Sequence, residues 1–561
     1  MGRTGWEAVA DVRSTQVAAY PLWFGPADRP LAGRLHLPAD LRVRGGVVLC
    51  PGIGYEWALG HASLRALADT LAADGFAALR LDYDGIGDSW GDDVDPGRVA
   101  AWRTSVLAAV DELQRLGIDD VSLVGLRAGA LLAAAVADHL PASEPGAGGG
   151  GGAVVLWDPP TSGREYTRRL RALATLQAWP ALPGSISVDG STVTEQTLTD
   201  LGALTVSLGD RPALVVLRED GPVPGWAQGH EVVRRPGQAE MFRSDVLHAT
   251  VPTGTVEDIA RWLGERSTGR ATDLDLPIDL PIDLPIDIDL EALSTTAVAG
   301  GIRETATEYD GMAAVVCEPI SAHPGRPTLV FLNTSADPRV GPSRAWLRWS
   351  RQLAGQGFRS VRADLSGIGD SPPRPGVAPQ LPYGPCTVPD ARALAEAADD
   401  GAGVVLVGLC SGARNALDAA LEPGPDVRGL LLVNPVLGAT RDQLTGLDAF
   451  DLDVTYDRQP RRIVTRVPAP AWWLADKAGV LRGRIGDLRT AVRRGAETLV
   501  ICSDGDYTLL RPDNARWALR DVVASGRLTT RAIRGDHALF DPLARAEALE
   551  LMTGWLLARW A

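Results

Sequence analysis

In the C-terminal half of the chain, VVLVGLCSGARNALDAAL sets the pentapeptide G-x-C-x-G, centred on Cys410, between an apolar run and a helical pattern. Glycines on both sides of one residue permit a sharp turn from strand to helix, which holds the central side chain in a strained conformation above the sheet. The helix that follows turns its positive end toward that side chain and favours a thiolate, and the Ser411 amide points at a developing oxyanion. Cys410 therefore occupies the place of a nucleophile. A thiol nucleophile needs a base, and this half contains two histidines. His323 lies in AHPGRP, a turn before the first major strand, and reads as a solvated loop residue. His537 lies in RAIRGDHALF, after a strand-like run and before the C-terminal helix, where the base belongs if nucleophile, acid and histidine follow in that chain order. For the acid, TLVICSDGDYTLL offers Asp504 and Asp506 at the end of the preceding strand. Such a set supports covalent acyl chemistry: the thiolate attacks an ester, thioester or lactone, and a second nucleophile releases the acyl group from the cysteine.

The elements that must position these residues occur twice. GFAALRLDYDGIGDS from Gly75 matches GFRSVRADLSGIGDS from Gly357, 282 residues later, and GLRAG from Gly125 matches GLCSG from Gly408, 283 residues later. A third pair, VVLWDP from Val154 and LLLVNP from Leu430, is 276 apart, the difference falling in the Gly-rich loop around Gly146 to Gly152. Three ordered matches at nearly one offset read as an internal duplication. Each half alternates short apolar runs with helical patterns, the signature of βαβ units and a parallel sheet covered on both faces. In the second half the strands are TLVFLN, SVRADL, VVLVGL, LLLVNP and TLVICS, separated by helical stretches such as 346–356 and 390–399. The alternation stops between Pro435 and Thr498, and between Pro159 and Thr205 in the first half; both intervals are candidate caps over the strand ends.

The chain has 561 residues, too many for one small domain. From Asp273 to Asp287 it reads DLDLPIDLPIDLPID; proline every fourth residue forbids a helix and the carboxylates keep the segment extended and solvated, so it reads as a linker. The expected domains are 1–270, a linker 271–292, and 293–561. Seventy acidic against 55 basic residues give a net charge of −15, which argues against a nonspecific nucleic-acid binder. Lys477 is the only lysine, an arginine bias from which no site is read. The five cysteines are scattered and form no CxxC pair, against both a disulfide framework and a thiolate zinc site. No apolar run is long enough to span a membrane, and the N-terminus has acidic residues where a signal peptide has its apolar core, so the expected address is the cytoplasm. With no metal constellation, Walker-type loop or GxGxxG after a first strand, no cofactor is expected.

The second half resembles the α/β-hydrolase superfamily, and more narrowly the exosortase-A-system-associated hydrolase of type 1, through NTSADPRVGPSR (333–344), DLSGIGDS, GLCSGA, LLLVNP, SDGDYT and GDHALF. The resemblance implies the fold class, two tandem α/β-hydrolase domains, each a mostly parallel sheet with helices on both faces and a cap insertion. It favours Asp506 over Asp504, because the superfamily leaves a turn of several residues between strand and acid. It also implies a second oxyanion amide in the loop after the third strand, near Thr334.

The first half resembles the type 2 partner of the same system, and α/β-hydrolases encoded beside natural-product assembly lines, through FGPADRPLAGRLHLPA, VVLCPGIGYEW, DYDGIGDSWGD, GLRAGALLAA and VLWDPPTSGREY. Its elbow carries Arg127, a permanently protonated side chain that does not attack carbonyls. Glu219 or Asp220 stands at the acid position and His248 near the place of the base, with no nucleophile to activate. This half is expected either to act as a scaffold or to use Arg127 to clamp an anionic group such as a phosphate or carboxylate.

The reaction expected of the whole is acyl transfer from, or hydrolysis of, carrier-linked or CoA acyl thioesters, the acyl or peptidyl carrier partner being implied by the resemblance. Exchange of an acyl group between a thioester and Cys410 is nearly thermoneutral, so transfer is as natural as hydrolysis. Trp472 and Trp473, in the cap interval, are candidates for lining an acyl-chain pocket. Two alternatives are an ester or lactone hydrolase and a noncatalytic scaffolding protein.

Overall fold

A computed structural model of the chain describes residues 17–140, 152–243, 245–267, 286–287, 290–321, 323–437, 471, 474, 478, 482–504, 510, 515–516 and 519–560. The linker expected at 271–292, apart from its last residues, and most of the second cap interval lie outside the described residues. The chain divides into two compact units, Met1–Ala178 with Pro183–Ala299, and Trp179–Leu182 with Gly300–Ala561.

In the first unit β1 (Val17–Phe24), β2 (Leu31–Pro38) and the short β3 (Arg42–Val43) precede β4 (Gly46–Cys50), α1 (Tyr55–Ala73), β5 (Ala77–Leu81), α2 (Arg98–Arg115), β6 (Val121–Leu126) and α3 (Ala128–Val136). There follow β7 (Val154–Trp157), α4 (Gly163–Gln177), the hairpin β8 (Ser185–Val188) and β9 (Ser191–Thr194), α5 (Glu195–Ala203), β10 (Ala213–Arg218), β11 (Glu231–Arg235) and α6 (Thr253–Ser267). The main sheet has the order β1-β2-β5-β4-β6-β7-β10-β11. Only β2 runs antiparallel to its neighbours on both sides; from β5 onward every pairing is parallel. Leu64, Leu67 and Leu71 of α1 and Val256, Ile259 and Leu263 of α6 share one core with Val47, Leu49, Val124 and Val155. The alternate strand residues Val48 and Leu123 are equally buried, on the side where α2 and α3 pack, so the strands read as continuous apolar runs.

The interval expected to be a cap in this unit is a helix, a hairpin and a helix, α4 to α5. Local chemistry sets its ends: Ser162 accepts a hydrogen bond from the Glu165 amide at 3.2 Å, and Thr194 accepts one from the Thr197 amide at 3.1 Å. Both are N-caps that satisfy amides the helix ladder leaves over. The last two residues of the repeat, β12 (Ile286–Asp287), follow Pro285 and pair antiparallel with β3, so this part of the expected linker is strand.

After β13 (Thr296–Ala299), at the end of the first unit's range, the second unit contains β14 (Ile302–Tyr309), β15 (Met312–Pro319), β16 (Thr328–Phe331), α7 (Ala345–Gly355), β17 (Ser360–Ala363), α8 (Thr387–Ala398), β18 (Val404–Leu409) and α9 (Ser411–Leu421). It continues with β19 (Val427–Val433), α10 (Arg482–Arg493), β20 (Glu497–Cys502), β21 (Leu528–Ala532) and α11 (Pro542–Trp560). Its sheet order is β13-β14-β15-β17-β16-β18-β19-β20-β21. With β13 set aside, the first two strands are followed by an exchanged pair and then by sequential order, as in the first unit. Both sheets have the α/β-hydrolase strand order, so each half alone holds the fold.

The two cores of the second unit show the period of the strands. Val404, Leu406, Leu430 and Leu432 face α8, α9 and α10. Val405, Val407, Leu409, Leu431 and Val433 face α7 and α11. Every strand end at which a functional residue is expected is therefore held from both faces. No helix among the described residues is long and apolar enough to cross a membrane.

Candidate active site

Cys410 joins β18 to α9 with φ 55° and ψ −115°, a left-sided backbone conformation that costs a non-glycine residue about 1–3 kcal/mol. The flanking glycines explain how the turn closes. A Cβ on Gly408 would sit 2.2 Å from the carbonyl carbon of Gly412, and one on Gly412 would sit 2.6 Å from the Asn333 oxygen. The helix start thus packs directly on the backbone of the strand before it and on the end of β16. The Cys410 amide donates to the Val433 oxygen at 3.0 Å, which anchors the turn to β19. The thiol is partly exposed and lies at the N-terminus of an 11-residue helix. Ser411 is the first residue of that helix, so its amide is one the helix ladder does not use.

The loop after β16 is fastened to this elbow. The Ser335 amide donates to the Ser411 hydroxyl at 2.7 Å, and the Thr334 hydroxyl donates to the Leu409 oxygen at 3.4 Å. Thr334 and Ser411, the two expected oxyanion donors, are both buried and belong to segments bonded to each other. Arg339 holds the far side of the loop. Its amide and its guanidinium reach the buried Asp364 at 2.6 and 2.7 Å, and the guanidinium also reaches Asp370 at 2.8 Å. Asn333 adds a bond from the Leu365 amide at 2.9 Å. The repeated DxxGIGDS motif is thus a structural clasp: Asp364 accepts from the Asp370 amide, and Ser371 donates to the Asp364 oxygen while accepting from Ala313. Asp82 and Ser89 do the same in the first unit.

His537 sits in a turn after β21, between Gly535 and α11. Asp536 shapes that turn by accepting from the amides of Phe540 and Asp541, both at 2.9 Å, and Arg545 donates to the Leu539 and Phe540 oxygens. Asp504 follows β20, and its amide donates to the Gly535 oxygen at 3.2 Å, which places the acid-bearing strand end against the histidine turn. Asp506, Trp472 and Trp473 lie outside the described residues. His323 is bonded to the Ser321 oxygen on the exposed loop before β16, far in sequence from the elbow.

One residue with no expected role stands between the last two segments. Asn434, just past β19, is buried and donates through Nδ2 to the His537 oxygen at 2.8 Å, while its Oδ1 accepts from the Ser503 amide at 2.8 Å. The LLLVNP motif carries it, but the motif served only to register the duplication.

The first unit repeats the elbow with an arginine at its centre. Arg127 has φ 55° and ψ −121°, and its amide donates to the Trp157 oxygen at 3.0 Å, as Cys410 does to Val433. The charges around its guanidinium come from this unit itself. The guanidinium is buried and donates to Glu56 at 3.2 Å and to the carbonyl oxygen of Asp158 at 3.1 Å, with the Asp158 carboxylate at 3.4 Å. Burial alone would lower its pKa, but Glu56 and Asp158 outweigh that and hold it above the ordinary arginine value. Tyr166 of the cap helix α4 donates to the second oxygen of Glu56 at 3.0 Å, which closes the site from above. Glu219 and Asp220 are exposed in the loop after β10, and His248 is paired with Asp245 at 2.7 Å. Among the described residues no cluster of His, Cys, Asp and Glu is arranged to hold a metal ion.

No protein-family model and no curated protein matches the chain. Among solved structures it is similar to Est1E from Butyrivibrio proteoclasticus with ferulic acid bound, 19% identical over 43% of this chain and 98% of that one, TM-score 0.34. It is also similar to the thioesterase domain from the curacin biosynthetic pathway, 16% identical over 46% and 99%, TM-score 0.29. A hypothetical protein from Pseudomonas aeruginosa is 16% identical over 47% and 99%, TM-score 0.32. Each of these chains is covered almost whole by less than half of this one.

Proposed function

We propose that the second unit forms an acyl-cysteine on Cys410 from carrier-linked or CoA acyl thioesters and passes the acyl group to an acceptor or to water. The observation that carries this reading is the thiol itself, held at positive φ at the N-terminus of α9 and tied to the loop that bears Thr334. The thiolate of Cys410 attacks the thioester carbonyl, and the oxyanion is met by the amides of Ser411 and Thr334. The C–S bond to the carrier breaks, and the departing thiolate takes a proton from the His537 imidazolium. An amine, alcohol or water then attacks the acyl-cysteine while His537 accepts its proton, and Cys410 leaves as thiolate. Asp506 orients His537 and stabilises its charged form. The carrier as donor rests on the resemblance of the second half to the exosortase-associated hydrolases of type 1.

The first unit, with arginine at its elbow, acts as a noncatalytic partner of the second. The test is product analysis with a panel of acyl-pantetheine donors, with and without amine acceptors. The reading predicts Cys410-dependent release of free thiol, with acyl amide formed when amine is present. Equal thiol release by wild type and Cys410→Ala would exclude it.

A further inference from the structure

We infer that Asn434 is a positioning residue for the catalytic pair, acting as the joint that fixes the acid-bearing loop and the histidine turn to one another. The inference rests on the reading of Cys410 and His537 given above and adds to it a residue that touches neither the thiol nor a substrate.

Asn434 has φ 45°, in the left-handed region that asparagine tolerates better than other side chains with a Cβ. Its own amide donates to the Ile501 oxygen at 2.9 Å, so its backbone is stitched to the end of β20. Its side chain needs one acceptor and one donor at the same place: Ser503 offers an amide hydrogen and His537 offers a carbonyl oxygen, each at 2.8 Å. That chemistry fixes which end of the carboxamide is oxygen, because a peptide amide only donates and a carbonyl only accepts. Aspartate lacks the donor and glutamine is one methylene too long. Ser503 begins the loop that leads to Asp504 and Asp506, and the His537 peptide is the one that carries the base. Asn434 therefore adds a buried side-chain link between the two segments, beside the direct bond from the Asp504 amide to the Gly535 oxygen.

The first unit supplies the control. Asp158 occupies the same place, with φ 45° and its amide donating to the Val216 oxygen at 2.8 Å. There the side chain pairs with Arg127 at the elbow, and at 2.8 Å with Arg218, the last residue of β10, two positions beyond Val216 as Ser503 is beyond Ile501. Where the nucleophile has been replaced by a cation, the amide joint has been replaced by a counter-charge. The donor to the histidine turn is present only in the copy that carries a thiol.

The test compares Asn434→Asp, which keeps the volume and the acceptor but removes the donor, with Asn434→Gly, which relieves the positive φ and removes the side chain. Both are measured in the full chain for Cys410 alkylation by iodoacetamide against pH, for acyl transfer from acyl-pantetheine, and for melting temperature. Each is expected to lower the acylation rate at neutral pH roughly ten- to hundred-fold, the scale of one lost buried hydrogen bond to an active group, with KM nearly unchanged. The alkylation profile should move toward that of an ordinary thiol, and neither variant should add to the defect of His537→Ala. A wild-type profile and rate in both variants, or a loss that adds fully to that of His537→Ala, would overturn the inference. If His537→Ala itself leaves alkylation and acylation unchanged, the reading of the site fails instead. A variant that melts early but keeps the wild-type profile counts against positioning and for a purely structural role.

Discussion

The guanidinium of Arg127 lies 3.1 Å from the carbonyl oxygen of Asp158 and 3.4 Å from its carboxylate, so the residue at the place of Cys410 is bonded to the residue at the place of Asn434. The two exchanges are one change in physical terms. A buried arginine needs a counter-charge, and a buried carboxylate needs a cation. Arg127→Met therefore leaves Glu56 with Tyr166 and Asp158 with Arg218 but takes the shared cation from both, and is expected to destabilise the first unit by about 3 kcal/mol. Arg127→Met with Asp158→Asn should recover part of that loss, to be read as coupling in a double-mutant cycle of urea unfolding. Strict additivity would refute the pairing.

Arg339 predicts a different pattern, because its bonds to Asp364 and Asp370 fix the loop that bears Thr334. Arg339→Ala takes the cation from the buried Asp364, leaving backbone amides and the Asn333 carboxamide, and should cost the second unit stability and slow acylation of Cys410 at least tenfold. The pH profile of Cys410 alkylation should stay as in wild type, since the base is untouched. Loss of acylation together with a shifted alkylation profile would mean that Arg339 acts on the thiolate instead.

His36 makes the first unit sensitive to acid. It is fully buried, its Nε2 accepts from Arg80 at 3.0 Å, and its Nδ1 lies 2.7 Å from Asp69 Oδ1, an arrangement that requires the neutral ring. Burial, against the pull of Asp69, lowers its pKa to about 4. The unfolded chain takes up this proton near pH 6.5 and the folded chain only near pH 4, so stability from this site is present above the unfolded value and falls as the pH drops between them. The loss amounts to about 3 kcal/mol across that window. Unfolding of the first unit followed from pH 7 to pH 4 should show this slope, and His36→Gln should flatten it; an unchanged slope in the variant would assign the acid sensitivity elsewhere.

Much of this was legible in the residues. The elbow glycines, the βαβ alternation and the duplication are local signals, and VVLVGL and its neighbours form the strands at the expected places. Beyond their reach were contacts that join residues far apart in sequence. Glu56 meets Arg127 from 71 positions away and Tyr166 from 110, so the partners of the Arg127 guanidinium could not be read from its neighbours in the chain. Asn434 looked like the end of a strand because its work is done by a side chain spanning two loops that only the sheet brings together. The antiparallel strands β14 and β15 escaped notice because they precede the alternating pattern on which the strand assignment relied.

The account stands on covalent chemistry at Cys410, and the most direct measurement is intact-mass analysis followed by peptide mapping after incubation with acyl-pantetheine donors. The account predicts one acyl mass added to the chain, mapped to Cys410 and absent in Cys410→Ala. An unmodified chain, together with iodoacetamide labelling of Cys410 that no donor slows, would contradict it.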